Sequence, residues 1–273
     1  MFSLLLTYVL LCTSAFAAGV VNAIAGGGTL LTFPTLLHAG ISSKAANETS
    51  TVALVPGSIS GAWGFRRDLA GARGWLLLLV GPSIAGGLVG SLLLTELEDK
   101  YFELIVPWLL LLAALLFAFQ PYVNRLIRPA AAVPLRPPGA KETTAWWSRA
   151  LLVMFQFWVG VYGGYFGAGI GILMLASLGL MGIGDINRMN AVKTILASCI
   201  NGVSVIVFAC RMEVEWRFAL PMTVAAIVGG YFGASVGRLL PPPLVRLLVI
   251  LAGLGLAGYY FAKGAGVFDQ AAE

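Results

Sequence analysis

The chain of 273 residues is 59% hydrophobic and only 11% charged, and it contains 34 glycines. Soluble domains carry about 25% charged residues, so the scarcity of polar surface excludes a water-soluble enzyme or nucleic-acid reader. With a mean hydropathy of +0.91, the composition predicts an all-α polytopic membrane protein. The net charge of +5 then belongs to loops that face the cytoplasm, and no nucleic-acid partner is expected.

The N-terminal apolar segment ends in a pattern that resembles a signal-peptidase site, Ala15–Ala17. A signal peptide should carry positive charge before its apolar region, and no Lys or Arg precedes this one. The segment also continues without a polar break into a glycine run. We therefore interpret it as a retained membrane segment.

Eight hydrophobic stretches meet or approach the roughly 20 residues that a bilayer span needs. A Pro- and Arg-rich segment, 121–149, separates the fourth stretch from the fifth, and we interpret it as an extended cytoplasmic linker. The predicted domains are a first transmembrane repeat over 1–120, this linker, a second repeat over 150–263 and a short tail over 264–273. The stretches are Phe2–Leu37, Ala45–Phe65, Gly74–Thr95, Tyr101–Gln120, Ala150–Met181, Met189–Cys210, Trp216–Leu239 and Leu244–Phe261.

The two halves of the chain contain similar segments in the same order. Three pairs of segments match, and the numbering offset between partners changes only from 141 to 143. Ordered matches at a nearly constant spacing indicate an internal duplication. The pairs are Gly19–Gly28 with Gly160–Gly169, Asn47–Thr51 with Asn190–Thr194, and Gly86–Gly90 with Gly229–Gly233.

The first stretch of each half, Phe2–Leu37 and Ala150–Met181, is too long for one span and too short for two. Each is interrupted by glycines, and paired Gly-broken segments are typical of a transporter binding site. If each crosses once, the two sides of the membrane receive 11 and 6 positive residues; if each turns back, the halves are inverted and the counts become 12 and 5. Both arrangements place the linker in the cytoplasm. We favour inverted repeats, each with a re-entrant first segment and three transmembrane helices, because this also explains the segment lengths.

No catalytic, metal or cofactor site is expected. The three cysteines lie inside apolar stretches without a CxxC motif, and His38 is the one histidine. The chain also lacks a nucleotide-binding motif, so ATP hydrolysis is excluded.

Several motifs together resemble the sulfite exporter TauE/SafE family of membrane transporters. They are Ala25–Leu31 with the following Phe33-Pro34, Ser42–Val52, Trp63-Gly64, Gly163–Gly169, Asn190–Thr194, Asn201, and the Trp216 segment that leads to Gly229-Gly230. The resemblance implies a multi-pass carrier in the bacterial inner (plasma) membrane. It also implies a small sulfur-containing anion as the substrate, such as sulfite, a sulfonate or sulfoacetate.

An anion site can be argued from the residues themselves. Each glycine run precedes a short apolar segment that predicts a helix, and a helix N-terminus offers free amides and a positive dipole end. Glycine also allows close approach of the backbone, although close helix packing through small residues is the structural alternative. The predicted substrate-binding residues are Gly26, Gly27, Gly28, Thr29, Asn47, Thr49, Ser50, Gly167, Gly169, Asn190, Lys193, Thr194 and Asn201.

Lys193 and Glu48 are the charged residues of most interest. A lysine deep in the membrane costs about 2.5–3.5 kcal/mol unless it is paired, and an anionic substrate or Glu48 could pair with Lys193. Alternatively, Lys193 snorkels to an interface and Glu48 complements a helix N-terminus. Glu48 is otherwise the candidate for proton coupling. A negative cell interior drives an anion outward by about 2.3 kcal/mol per 100 mV, so export needs no proton relay.

Three other function classes were weighed against a secondary transporter. The sequence lacks the convergent catalytic residues that an integral-membrane enzyme needs, and a non-transporting scaffold subunit does not explain the broken segments. A cation carrier should have more carboxylates than lysines in its spans, and this chain does not. Two helix ends contribute about 1–4 kcal/mol, whereas a millimolar Kd needs about 4 kcal/mol, so a weak site is expected. The expected partners are the anion and membrane lipid, and a homodimer is left open.

Overall fold

The computed structural model describes residues 2–24, 26–64, 66–69, 72–131, 146–180, 186–211, 214–236 and 242–264. Over these residues the chain forms ten α-helices, one short 3-10 helix at Arg66–Leu69 and no strand, which confirms the all-α prediction. The helices are α1 (Phe2–Ile24), α2 (Thr29–His38), α3 (Ser43–Gly64), α4 (Arg73–Glu96), α5 (Asp99–Ala131), α6 (Trp146–Tyr165), α7 (Ile170–Leu180), α8 (Ile186–Arg211), α9 (Trp216–Val236) and α10 (Pro242–Gly264).

The helices suit a multi-pass membrane protein. Four segments in the described part of the chain are long and apolar enough to cross a bilayer. Large apolar side chains such as Leu77, Leu104 and Leu151 are exposed on the helix surfaces, where lipid would cover them. The four segments are Leu4–Ala23, Arg73–Glu96, Asp99–Val123 and Arg188–Arg211.

Both of the unusually long hydrophobic stretches are broken at their glycines. The first break separates α1 from α2, and the second separates α6 from α7. Gly26 has φ +79°, and Gly167, its counterpart in the second half, has φ +81°. Side chains with a Cβ rarely adopt this left-handed conformation, so glycine allows the chain to turn at the same place in each half.

The first break is the turn of a helical hairpin. The hydroxyl groups of Ser14 on α1 and Thr35 on α2 lie 2.9 Å apart. Nearer the turn, Gly28 packs against the carbonyl of Ala18. From Thr35 back to Gly28, the contacts on α1 move forward from Ser14 to Ala18, so α1 and α2 are antiparallel.

The closest helix contacts occur in matched sets. Helix α1 lies parallel to α9, and α6 lies parallel to α4, with glycines facing backbone at each crossing. A side chain at any of these glycines would overlap the opposing carbonyl or Cα, so the helices approach this closely only through glycine. The contacts are Phe16 with Gly229, Val20 with Gly233, Phe157 with Gly86, and Val161 with Gly90. The internal duplication relates the first two contacts to the last two, residue by residue.

The last helices of the two halves, α5 and α10, run antiparallel. Near the start of α5, the rings of Trp108 and Phe261 meet edge to face with centroids 5.1 Å apart. Further along α5, a Cβ at Gly253 would lie 3.1 Å from the Ala114 Cβ. The contact on α5 has moved toward its C-terminus and the contact on α10 toward its N-terminus, so the two helices are antiparallel.

The prediction that the linker 121–149 is extended is wrong at both of its ends. Helix α5 continues to Ala131, and α6 already begins at Trp146. Residues 121–131 include Arg125, Leu126, Arg128 and two alanines, and these good helix formers prolong the helix. Residues 132–145, and 265–273 of the predicted tail, lie outside the described residues.

Candidate functional site

The glycine turns of the two halves meet. A Cβ added at Gly26 would lie 3.2 Å from the Cα of Gly171, and one added at Gly27 would lie 3.4 Å from the backbone nitrogen of Gly169. Because both turns pack backbone against backbone, the N-terminal ends of α2 and α7 are brought to one place.

A cavity of about 30 Å³ lies at this meeting point. A space of this size has room for one or two water molecules. Its lining comes from the two turns and from one face each of α3 and α8. The lining residues are Asn22, Gly26, Gly27, Thr29, Thr51, Leu54, Ser58, Gly167, Ile170, Gly171, Lys193, Thr194, Ala197 and Asn201.

Most of the lining consists of equivalent positions from the two halves. Five pairs of lining residues are separated by the numbering offsets found between the matched segments of the sequence. The offset is 141 for the pairs at the turns and 143 for the pairs on α3 and α8. The cavity therefore lies where the two halves face each other. The pairs are Gly26 with Gly167, Thr29 with Ile170, Thr51 with Thr194, Leu54 with Ala197, and Ser58 with Asn201.

The structure brings seven of the thirteen predicted binding residues to the cavity. They come from both glycine turns and from α8, as the sequence argument requires. They are Gly26, Gly27, Thr29, Gly167, Lys193, Thr194 and Asn201.

Three predicted residues on α3 instead bind neighbouring protein groups away from the cavity. The Thr49 hydroxyl oxygen accepts a 3.0 Å hydrogen bond from the backbone N–H of Glu215, just before α9. The hydroxyls of Ser50 and Thr32 lie 2.5 Å apart. The Asn47 side-chain amide donates to the Tyr165 carbonyl at 3.0 Å. These contacts connect α3 to α9, α2 and the end of α6.

The other three predicted residues also lie outside the cavity lining. The Gly28 N–H donates to the side-chain oxygen of Asn22 at 2.7 Å. Gly169, with φ +80°, sits directly before α7. The carbonyl of Asn190 accepts a 2.7 Å hydrogen bond from the Thr194 hydroxyl. Their part in binding stays a prediction.

Lys193 is the charged group of the cavity. Its side chain on α8 is 1% exposed, which excludes snorkelling to an interface. Its Nζ has neither a hydrogen bond nor an ion pair within the described part of the chain. A buried ammonium without a counter-charge is costly, so an anion in the cavity would relieve that cost.

Glu48 is not the counter-ion of Lys193. Its side chain is fully buried on α3, but it does not line the cavity, and the anticipated ion pair with Lys193 does not form in the described structure. Proton coupling through Glu48 stays a prediction.

The predicted set of binding residues leaves out seven of the lining residues: Asn22, Thr51, Leu54, Ser58, Ile170, Gly171 and Ala197. Helical spacing could have found Ala197, since it lies three residues after the predicted Thr194 on α8. Asn22 offered a signal of its own as an amide within an apolar stretch.

Comparison with known proteins identifies the family. A family model described as "Sulfite exporter TauE/SafE" matches residues 11–260, which is nearly the whole chain. The chain belongs to the sulfite exporter TauE/SafE family. This confirms the resemblance found in its motifs.

Relatives of this TauE/SafE protein cover most of its length. A probable membrane transporter protein of Haemophilus influenzae is 27% identical over 245 residues, covering 89% of each chain. The probable membrane transporter protein ORF9 of Sinorhizobium sp is 26% identical, covering 90% of this chain and 89% of the relative. YfcA of Escherichia coli K12, with the same description, is 26% identical over 87% of this chain and 83% of its own.

The family and these relatives establish the class of the protein. It is a membrane transporter, and the prediction that it is not an enzyme is confirmed. No solved structure is significantly similar to the chain.

Proposed function

We propose that this TauE/SafE protein is a secondary transporter that exports small sulfur-containing anions (sulfite, sulfonates or sulfoacetate) through the central cavity. One observation carries the proposal: the buried, unpaired Lys193 lines the space where the two glycine turns meet. A cation that the described structure does not neutralise is the group that an anionic substrate needs.

Other donors around Lys193 support an anion. Helices α2 and α7 begin at Thr29 and Ile170 on the cavity wall, so both positive dipole ends lie beside it. The amide oxygen of Asn22 is held by the Gly28 N–H, which leaves its NH2 group to donate to a ligand. A site built mainly from neutral donors and one ammonium suits a carrier that must release its substrate.

The proposed architecture consists of two inverted repeats. Three observations support it: the hairpin that α1 and α2 form, the matched contacts of α1 with α9 and of α6 with α4, and the antiparallel course of α5 and α10. In this arrangement the two Gly-broken segments enter the bacterial inner membrane from opposite sides, and their turns meet near its midplane.

The inverted arrangement also fixes the orientation that we propose. With Lys193 left out because it lies in the cavity, the side that carries Arg66 and the Arg-rich linker receives 11 of the other 16 Lys and Arg residues, so it faces the cytoplasm. Single cysteines at residue 4 and within 132–145, in a background without the three native cysteines, should label from opposite sides of the membrane. Labelling from the same side would contradict the inversion.

Transport requires the two turns to separate. A cavity of about 30 Å³ has room for one or two water molecules, so we expect it to widen when an anion binds. The membrane potential supplies about 2.3 kcal/mol per 100 mV for each exported negative charge, so export does not depend on proton coupling through Glu48.

Flux through proteoliposomes tests the function. Vesicles containing the purified protein should take up labelled sulfite or a small sulfonate, driven by an imposed potential, faster than empty vesicles. The variant Lys193→Gln should lower the flux about tenfold or more while still inserting into membranes, because it removes the only charge in the described lining. Inert wild-type vesicles with every sulfur anion tried would contradict the function and favour a non-transporting scaffold.

A further inference from the structure

The described cavity lining has one positive charge and no negative one. Lys193 is its only ionisable residue; the remaining positions are glycines, amides, hydroxyls and three apolar side chains. A bound anion with one negative charge would make the loaded cavity neutral. A dianion would leave one uncompensated negative charge inside the protein.

The internal similarity of the two halves does not supply a second cation. The position equivalent to Lys193 in the first half is Ser50. Its hydroxyl is 2.5 Å from that of Thr32, and it does not line the cavity. The positive charge therefore comes from one half of the chain alone, although most lining residues occupy equivalent positions in the two halves.

We propose that the cavity selects monovalent sulfur oxyanions over divalent ones, an inference that rests on the function proposed above. An excess charge in a buried, low-dielectric site is strongly disfavoured, whereas one anion on Lys193 cancels the charge already there. Within the proposed substrate class, simple sulfonates and hydrogensulfite carry one charge, and sulfoacetate carries two.

The neutral part of the lining favours a small organic group on the same anion. Leu54, Ile170 and Ala197 supply apolar surface beside the polar groups. An alkanesulfonate can place its oxygens on Lys193 and the amides and its alkyl group on these side chains. Sulfate has no apolar part and two charges, so it should be the poorest ligand.

The test compares three anions on the full-length protein in detergent. Calorimetric binding of methanesulfonate, sulfoacetate and sulfate to the wild type should give the tightest binding for methanesulfonate, by about tenfold or more. Equal or tighter binding of sulfoacetate, with Lys193→Gln weakening both, would overturn the selectivity and leave the transport function standing. Binding of none of the three would contradict the proposed function itself.

Two variants sharpen the test. Asn201→Lys adds a second cation to the lining and should shift the preference toward sulfoacetate by about tenfold; Ser58→Lys, at the equivalent position, serves if the first variant does not fold. Lys44→Gln is the matched control, because Lys44 is also buried but donates to the Thr95 and Leu97 carbonyls away from the cavity. Lys44→Gln should leave the ratio of methanesulfonate affinity to sulfoacetate affinity unchanged. If it changes this ratio as much as Lys193→Gln does, the preference comes from a general loss of positive charge, and the proposal is overturned.

Discussion

The two halves of this transporter share their packing but differ in their polar chemistry. The crossing of α1 with α9 is repeated by α6 with α4, down to the glycine that faces each carbonyl. By contrast, Lys193 corresponds to Ser50, and Asn22 corresponds to Gly163. Close packing leaves no room for a side chain at either crossing, whereas the cavity tolerates different groups on its two sides. The shared contacts therefore hold the helices together, whereas the residues that differ between the halves determine which ligand the cavity can bind.

The largest effect is expected from filling a glycine crossing. Gly86→Leu would drive a side chain into the Phe157 carbonyl of α6, and overpacking of this kind costs about 3 kcal/mol or more where backbone cannot yield. The variant should lose most of its monodisperse protein on size-exclusion chromatography. Gly81→Leu on the same helix has open space around it and should behave as wild type; if both variants behave alike, the crossing is not a tight contact.

A smaller effect is expected at the glycine turns. Gly167→Ala forces a side chain into a conformation with φ +81°, which costs roughly 1–2 kcal/mol, and it does so at the cavity wall. Its unfolding temperature should fall and its sulfonate flux should fall with it. Gly40→Ala has similar strain, with φ +83° and open space beside it, so it should lose comparable stability and keep its flux. Equal flux loss in both would mean that strain alone, rather than the site, limits transport.

The smallest effect is expected at the counterpart of Lys193. Ser50→Ala removes the hydroxyl that contacts Thr32, and a buried hydrogen bond contributes about 1 kcal/mol to stability. Thermal unfolding should show a small decrease, whereas anion affinity should match that of the wild type. A loss of affinity as large as that of Lys193→Gln would show that the two halves contribute equally to the site.

The sequence was sufficient for the features that depend on composition and on special backbone geometry. Apolar content predicted the helices, and the glycine runs marked both breaks because only glycine readily takes φ near +80° there. For Lys193 the sequence left two positions open, a buried one and one at a membrane interface, and the structure shows it buried. Spacing could not tell which face of α3 turns toward the cavity, so Asn47, Thr49 and Ser50 were placed in the site although they bind neighbouring helices. That orientation is set by packing against other parts of the chain.

A cryo-EM structure with methanesulfonate bound would show whether Lys193 binds the anion. We expect density for the oxyanion within hydrogen-bonding distance of the Lys193 Nζ, between the turns at Gly26 and Gly167, in a cavity wider than the described one. Density for the anion at another place, with Lys193 still buried and unpaired, would contradict this expectation.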